Sequence, residues 1–204
     1  MGDKQAKLIL KKLGFSDKCI QKIEIYREKL IKYNSKYNLI SKNTEKEIWS
    51  RHILDSAQLV SFLDASEATD IADFGSGAGF PGLILAFYYN KNNFHVKLYE
   101  KSPIKSAFLS KISKKLDLKC KIICSDLNSI KIDSNHIVCR AFKKLPHILN
   151  ISRENCVKKH KIIVMKGKNA QEEINNTFQM RNYEYRLVNS ITDNYSKIII
   201  MNAE

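Results

Sequence analysis

"IADFGSGAGFPG" (residues 71–82) sets four glycines within eight positions, directly behind a short apolar run. An apolar run that ends in bare backbone reads as a strand turning sharply into a helix. Asp73 to Gly79 then stand at the carboxyl end of the first strand, where a doubly wound sheet binds its ligands. Gly75, Gly77 and Gly79 permit a tight bend and the close approach of a ligand. Pro81 suits the first turn of the helix that follows. Two uses of the segment compete, a ligand lying against the turn or a corner that needs none. Spacing restricts the ligand: a dinucleotide loop places its third glycine at position 80, whereas this chain has Phe80 there and Gly79 one place earlier.

Outward from this corner, apolar stretches recur as "DIADFG", "HVKLYE", "CKIICSD", "HIVCRA", "HKIIVMKG", "YEYRLVNSI" and "SKIIIMN". Helix-like segments separate the first five: residues 81–88, "SPIKSAFLSKISKKL" and "KKLPHILNISRENCV". Such alternation predicts an α/β fold with a mostly parallel sheet covered on both faces. The last two strands lie too close for a crossover and predict an antiparallel hairpin. Upstream, residues 3–13 put Leu8, Ile9 and Leu13 on one side before Gly14, and Ser16 caps a helix carrying Ile20, Ile23, Tyr26, Leu30 and Tyr33. Thr44-x-x-Glu47 reads as a capping box ahead of Ile48, Ile53, Ala57 and Val60. The expectation is one domain over 1–204, a helical leader (1–66) packed on a seven-stranded body (67–204).

The formal charge is +14, from six arginines and 29 lysines against 21 acids. A basic excess of this size favours a polyanionic partner through counterion release, although an A/T-biased coding sequence, also visible in the abundant Asn and Ile, would enrich Lys as well. Five scattered cysteines form no Cys-x-x-Cys pair and no zinc-like spacing, so no metal site is expected. The first residues contain no apolar stretch fit for a signal peptide or membrane span, and the protein is read as cytoplasmic.

Two further features stand in register with the glycine corner. Glu100 ends the second strand, 21 residues past Gly79, where a carboxylate can accept both hydroxyls of a ribose. Asp126, Leu127 and Asn128 follow the third strand on the same rim, with Asp126 alternatively a helix cap. The G-x-G-x-G spacing resembles the S-adenosylmethionine loop of Rossmann-like class I methyltransferases. "YNLI" (37–40), "RHILDS" (51–56), "DFGSGAGFPGL" (73–83), "CRAF" (139–142) and "MKG" (165–167) together resemble the RsmG (GidB) family, bacterial 16S rRNA guanine-N7 methyltransferases. That resemblance covers essentially the whole chain. It implies methylation of G527 in the 530 loop of 16S rRNA, with Gly75, Phe80, Leu127, Asn128 and Arg140 holding S-adenosylmethionine, to which the reading of the corner and the strand end adds Gly77 and Glu100. The chain departs from the family pattern in Glu100, where Asp is usual, and in Leu127-Asn128, where Ala-Glu or Val-Glu is frequent.

Guanine N7 carries a lone pair and no proton, so methylation there needs placement rather than a general base. Consistently, no Asn/Asp-Pro-Pro-aromatic signature follows the fourth strand, and no Pro-Cys suggests a cysteine nucleophile. Arg140 is expected to position cofactor and substrate, against the alternative of an ion pair with Asp73 or Glu100. Tyr37, Asn38, Arg51, His52 and Lys166 are candidate RNA contacts, with core packing for Tyr37 and a structural His52–Asp55 pair as competing readings. The expected partner is 16S rRNA in the small ribosomal subunit or an assembly intermediate, met by a monomer. A noncatalytic rRNA-binding assembly factor on the same fold is the alternative, and a nicotinamide oxidoreductase is disfavoured by the Phe80 register.

Overall fold

The computed structural model describes residues 1–63, 69–90, 94–178 and 184–203. Seven strands, β1 (Thr69–Phe74), β2 (Phe94–Tyr99), β3 (Cys120–Ile123), β4 (His136–Arg140), β5 (His160–Lys166), β6 (Tyr185–Asn189) and β7 (Lys197–Ala203), form one sheet in the order β3-β2-β1-β4-β5-β7-β6. β1 to β5 pair in parallel. β7 runs antiparallel to both β5 and β6, the hairpin expected from the short connection. Strand order reverses beside β1, whose neighbours are β2 and β4, and connections leaving in opposite directions open a crevice there.

Residues along each strand alternate between two cores, as a period of two requires. Ile71, Val138, Ile163 and Ile198 face one side, while Ala72, Ile137, Ile162 and Ile199 face the other. Both faces of β4 and β5 are covered, which is why these strands read as unbroken apolar runs. The first face carries α4 (Gly82–Tyr89) and α5 (Pro103–Leu116), the second α6 (Leu145–Asn155) and α7 (Ala170–Phe178).

The leader joins the first core. Helices α1 (Asp3–Lys12) and α2 (Asp17–Tyr37) contribute Ala6, Leu10, Tyr26 and Leu30 to the cluster that holds Leu83, Phe87 and Phe108. Ser16 caps α2 as expected, accepting the Cys19 N–H at 3.2 Å. The expected leader–body boundary at 66/67 and the start of "YEYRLVNSI" at Tyr183 lie outside the described residues.

Two expectations change. Thr44 does not cap a helix: residues Lys42–Glu47 form a 3₁₀ helix and Ile48–Leu54 wider π turns, leading into α3 (Asp55–Ala57) and a 3₁₀ turn Gln58–Phe62. The Thr44 hydroxyl donates to Ser41 O at 2.8 Å and meets His52 Nε2 at 2.8 Å, so tertiary contact has claimed the capping group. Helix α7 was also not anticipated. β5 and β6 both oppose β7, so the chain between them must cross back along the sheet, yet among the described side chains α7 buries only a narrow stripe, Ala170 and Ile174.

Candidate cofactor pocket

A cavity of about 430 Å³ opens at the carboxyl ends of β1, β2 and β4. The glycine corner supplies its floor, Glu100 and the Asp126–Asn128 turn one wall, Arg140 to Lys143 another, and Leu39, Ile40 and His52 of the leader a third. That volume is in the range of small-ligand sites.

The corner's glycines serve different ends. Gly75 has φ +70°, and a Cβ there would lie 2.2 Å from the Phe142 ring; Gly79 has φ +111° and would strike Leu83. At Gly82 a Cβ would fall 2.5 Å from Asp73 Oδ2, because the carboxylate beneath the corner accepts the Gly82 N–H at 3.0 Å. Gly77 differs: an added Cβ would meet nothing nearer than Gly75 O at 3.8 Å, and the residue lines the cavity. Gly75, Gly79 and Gly82 therefore leave no room for a side chain, whereas at Gly77 it is the left-handed backbone, φ +57°, and not a clash that asks for glycine.

The loop's N–H groups are largely used within the protein. Gly75 and Ser76 donate to Tyr99 O, and Gly79 and Phe80 to Ser76 O. Gly77 donates to Glu100 Oε2 at 2.8 Å, and Ser102 N–H to Oε1 at 2.8 Å. A diphosphate needs free N–H donors; here they are taken, and two buried carboxyl groups, Asp73 and Glu100, lie under and beside the loop. This setting disfavours a diphosphate. Burial pushes the Asp73 carboxyl up to about 7, opposed by hydrogen bonds from Ser76 and Gly82.

The wall after β4 is shaped by Ala141, a non-glycine residue at φ +49°. This left-handed conformation is uncommon for alanine, and both Arg140 and Phe142 line the cavity across it. Phe142 packs over Gly75 and edge-on to Phe74 at 6.3 Å. On the opposite wall Asp126 caps the Leu127–Ser129 turn, as the alternative reading had it, accepting Asn128 N at 3.0 Å and Nδ2 at 2.8 Å. The backbone N–H of Asn128 holds its carboxyl below the usual range.

Arg140 reaches into the leader. Its Nη1 donates to Arg51 O at 2.7 Å and pairs with Asp55 Oδ2 at 3.4 Å, while Nη2 lies 2.6 Å from His52 Nδ1. The alternative of an ion pair with Asp73 or Glu100 is not realised: Arg140 pairs with Asp55 instead, and it lies over Phe80 at 5.0 Å from the ring centroid. Asp55 Oδ1 accepts from Gln58 Nε2 (2.9 Å), Ser190 Oγ (3.1 Å) and Thr192 Oγ1 (2.8 Å), binding the leader to the β6–β7 connection. Tyr26 OH donates to Ala78 O at 2.8 Å, a second strut from leader to loop. Asp55 as a hub and Tyr26 as a strut left no sequence signal beyond a motif position and one place in a helical stripe.

Of the candidate residues, Gly75, Gly77, Phe80, Glu100, Leu127, Asn128, Arg140 and His52 line the cavity; Tyr37, Asn38, Arg51 and Lys166 do not. Tyr37 and Asn38 end α2, with Asn38 in the left-handed C-cap, and Tyr37 is exposed. Arg51 pairs with Glu47 at 3.5 Å. Lys166 donates to Lys143 O at 2.6 Å and pairs with Glu173 of α7 at 3.0 Å, bracing the loop after β4. Its ammonium is spent within the protein. His52 is likewise engaged at both ring nitrogens and stacks on Phe80 at 5.0 Å, which makes it a wall residue rather than a free RNA contact.

Solved structures share this architecture at low identity. A SAM-dependent methyltransferase from Aquifex aeolicus superposes with TM-score 0.62 at 13% identity, covering 86% of this chain and 97% of that one. An RNA methyltransferase from Salinibacter ruber in complex with S-adenosyl-L-homocysteine gives 0.55 at 12%, over 72% and 88%. The fold is that of the Rossmann-like S-adenosylmethionine-dependent methyltransferases. The family is narrower still: the GidB model, described as rRNA small subunit methyltransferase G, matches residues 19–197, and the chain belongs to that family. The ribosomal RNA small subunit methyltransferase G of Rickettsia felis is 38% identical over 180 residues, 88% of this chain and 91% of its own length. That of Pelagibacter ubique is 35% identical over 196 residues, 94% and 92%.

Proposed function

We propose that this protein is an S-adenosylmethionine-dependent methyltransferase acting on N7 of a guanine in 16S rRNA, the base G527 of the 530 loop. Family membership supports the rRNA substrate, and the chemistry of the pocket supports a ring nitrogen. When bound, S-adenosylmethionine supplies an electrophilic methyl group on a sulfonium centre. Gly75, Gly77 and Phe80 would bound its site, Leu127 and Asn128 would flank its base, and Glu100 keeps a second lone pair on each oxygen for ribose hydroxyls. Arg140, fixed by Asp55 and His52, orients the groups that meet at the loop.

The observation that carries this reading is that neither the imidazole lining the cavity nor the cysteine behind its wall is available as a base or nucleophile. His52 is held neutral with both nitrogens engaged, and burial, then Arg140 and Arg51, push it down to about 3. Glu100 and Asp126 each accept backbone N–H groups. Cys139, behind the wall, is 1% exposed and its thiol is pushed up by burial, which leaves no thiolate nucleophile. Guanine N7 needs no deprotonation, so a site that only orients its reactants suffices.

In this reading leader and body act as one domain, a monomer in the cytoplasm, on the small ribosomal subunit or its assembly intermediate. No helix among the described residues is long and apolar enough to cross a membrane. The test is to map methylated nucleotides in 16S rRNA from cells with and without the gene. Loss of one N7-methylguanine in the 530 loop is expected; an unchanged map, or loss of a methyl on another atom, overturns the proposal.

A further inference from the structure

Helices α2 and α5 run antiparallel. Lys22 near the start of α2 donates to Leu116 O at the end of α5, at 2.5 Å, and Tyr33 packs on Phe108 at 5.0 Å and meets Lys111. Their seam ends at the pocket mouth, where Leu39 and Ile40 follow α2 and Lys101 and Lys105 open α5.

The seam carries an aromatic pair and a row of cations. Tyr33 and Tyr37, one helical turn apart, hold their rings 5.9 Å apart, and Tyr37 is 46% exposed. Lys111 donates to Tyr33 OH at 2.9 Å and lies 5.4 Å from the ring centroid, so its ammonium is fixed beside the pair. Lys29 and Lys36 stand four residues before and three after Tyr33, on the same face of α2. Lys29, Lys36, Lys105 and Lys111 have no carboxylate partner among the described residues, whereas Lys7 and Lys11 of α1 pair with Glu24 and Asp17. Lysines left without carboxylate partners beside an exposed aromatic ring are groups that a polyanion would complement.

We propose that this seam is the track for single-stranded RNA flanking the target nucleotide: one base stacks on Tyr37, and Lys29, Lys36, Lys105 and Lys111 meet successive phosphates. The proposal rests on the rRNA methyltransferase reading. Stacking platforms combined with a cationic groove are how proteins hold single strands without reading sequence. Charge complementarity and continuity with the pocket favour RNA as the occupant over a protein.

The test uses the full-length protein, S-adenosylmethionine and both a 16S rRNA transcript and purified small subunits. Lys29→Gln, Lys36→Gln and Lys111→Gln combined should raise KM for RNA about tenfold or more. The slope of log KM against log salt should shrink by roughly 0.7 per lysine removed. Calorimetric affinity for S-adenosylhomocysteine should stay unchanged, which also shows that the variant folds. Tyr37→Ala should raise KM by about tenfold, with recovery in Tyr37→Phe, because stacking needs the ring and not the hydroxyl. Unchanged KM and salt slope in an active protein overturn the track. A defect confined to subunits, absent on the transcript, also overturns it, by assigning the seam to a ribosomal protein. A wild-type protein that methylates neither substrate overturns the underlying reading instead.

Discussion

Arg140 Nη2 lies 2.6 Å from His52 Nδ1, and because a guanidinium can only donate, the imidazole must accept there. The ring proton then sits on Nε2 and is donated to Thr44 Oγ1, whose own proton goes to Ser41 O. One contact thus fixes tautomer, charge and a chain of hydrogen bonds running from β4 into the leader.

The first prediction concerns that charge. The folded-state pKa of His52 is depressed to about 3, below the ordinary 6.5. The stability it supports is fully present above pH 6.5 and is lost as pH falls towards 3, where an imidazolium would face Arg140. Nitrogen-15 NMR should show the neutral Nε2–H tautomer down to about pH 4. An imidazolium signal at pH 6 would refute the arrangement.

Removing Arg140 should damage fold and activity together. Arg140→Ala leaves Arg51 O, His52 Nδ1 and Asp55 Oδ2 without their donor. About 2–3 kcal/mol of stability should be lost in urea unfolding, with methyl transfer falling at least a hundredfold at a temperature where the variant is folded. Arg140→Lys should restore little, since one ammonium cannot span three acceptors on two planes. A variant with normal unfolding and normal turnover would show that Asp55 and His52 hold nothing.

Gly75→Val tests the corner. The new side chain would meet Phe142 at once and would demand a left-handed backbone that a β-branched residue strongly disfavours. S-adenosylhomocysteine binding should vanish in calorimetry while the far-ultraviolet signal of the helical leader persists. Retained affinity would mean that the ligand lies elsewhere.

Asp73 gives the opposite pH signature to His52. Its folded pKa is raised from 3.8 to about 7, so the folded state binds the extra proton between those values and stability falls as pH climbs from about 4 to 7. Asp73→Asn keeps an acceptor for Gly82 N–H and removes the titration. Unfolding free energies should therefore lose that downward slope in the variant. An identical slope in both proteins would place the titrating group elsewhere.

The architecture was legible where it depends on neighbours in sequence. Alternating strands and helices, the Ser16 cap and the glycine corner follow from apolar period and backbone freedom, both local properties. The Thr44 capping box was locally sound and failed because His52 and Ser41 took the hydroxyl. Helix α7 has a weak signature in the sequence, since among its described side chains only Ala170 and Ile174 mark a buried side.

From sequence alone came the class of fold, the position of the pocket and the residues at the strand ends, since strand polarity brings those ends to one edge. Only the folded chain decided where polar tips go: Arg140 to groups 85–89 positions away, Asp55 to Ser190 and Thr192, and Lys166 to Glu173. A side chain's type states which bonds it can make. Its partner is set by which distant segment the packed core brings within 3 Å or so, and no local pattern encodes that distance.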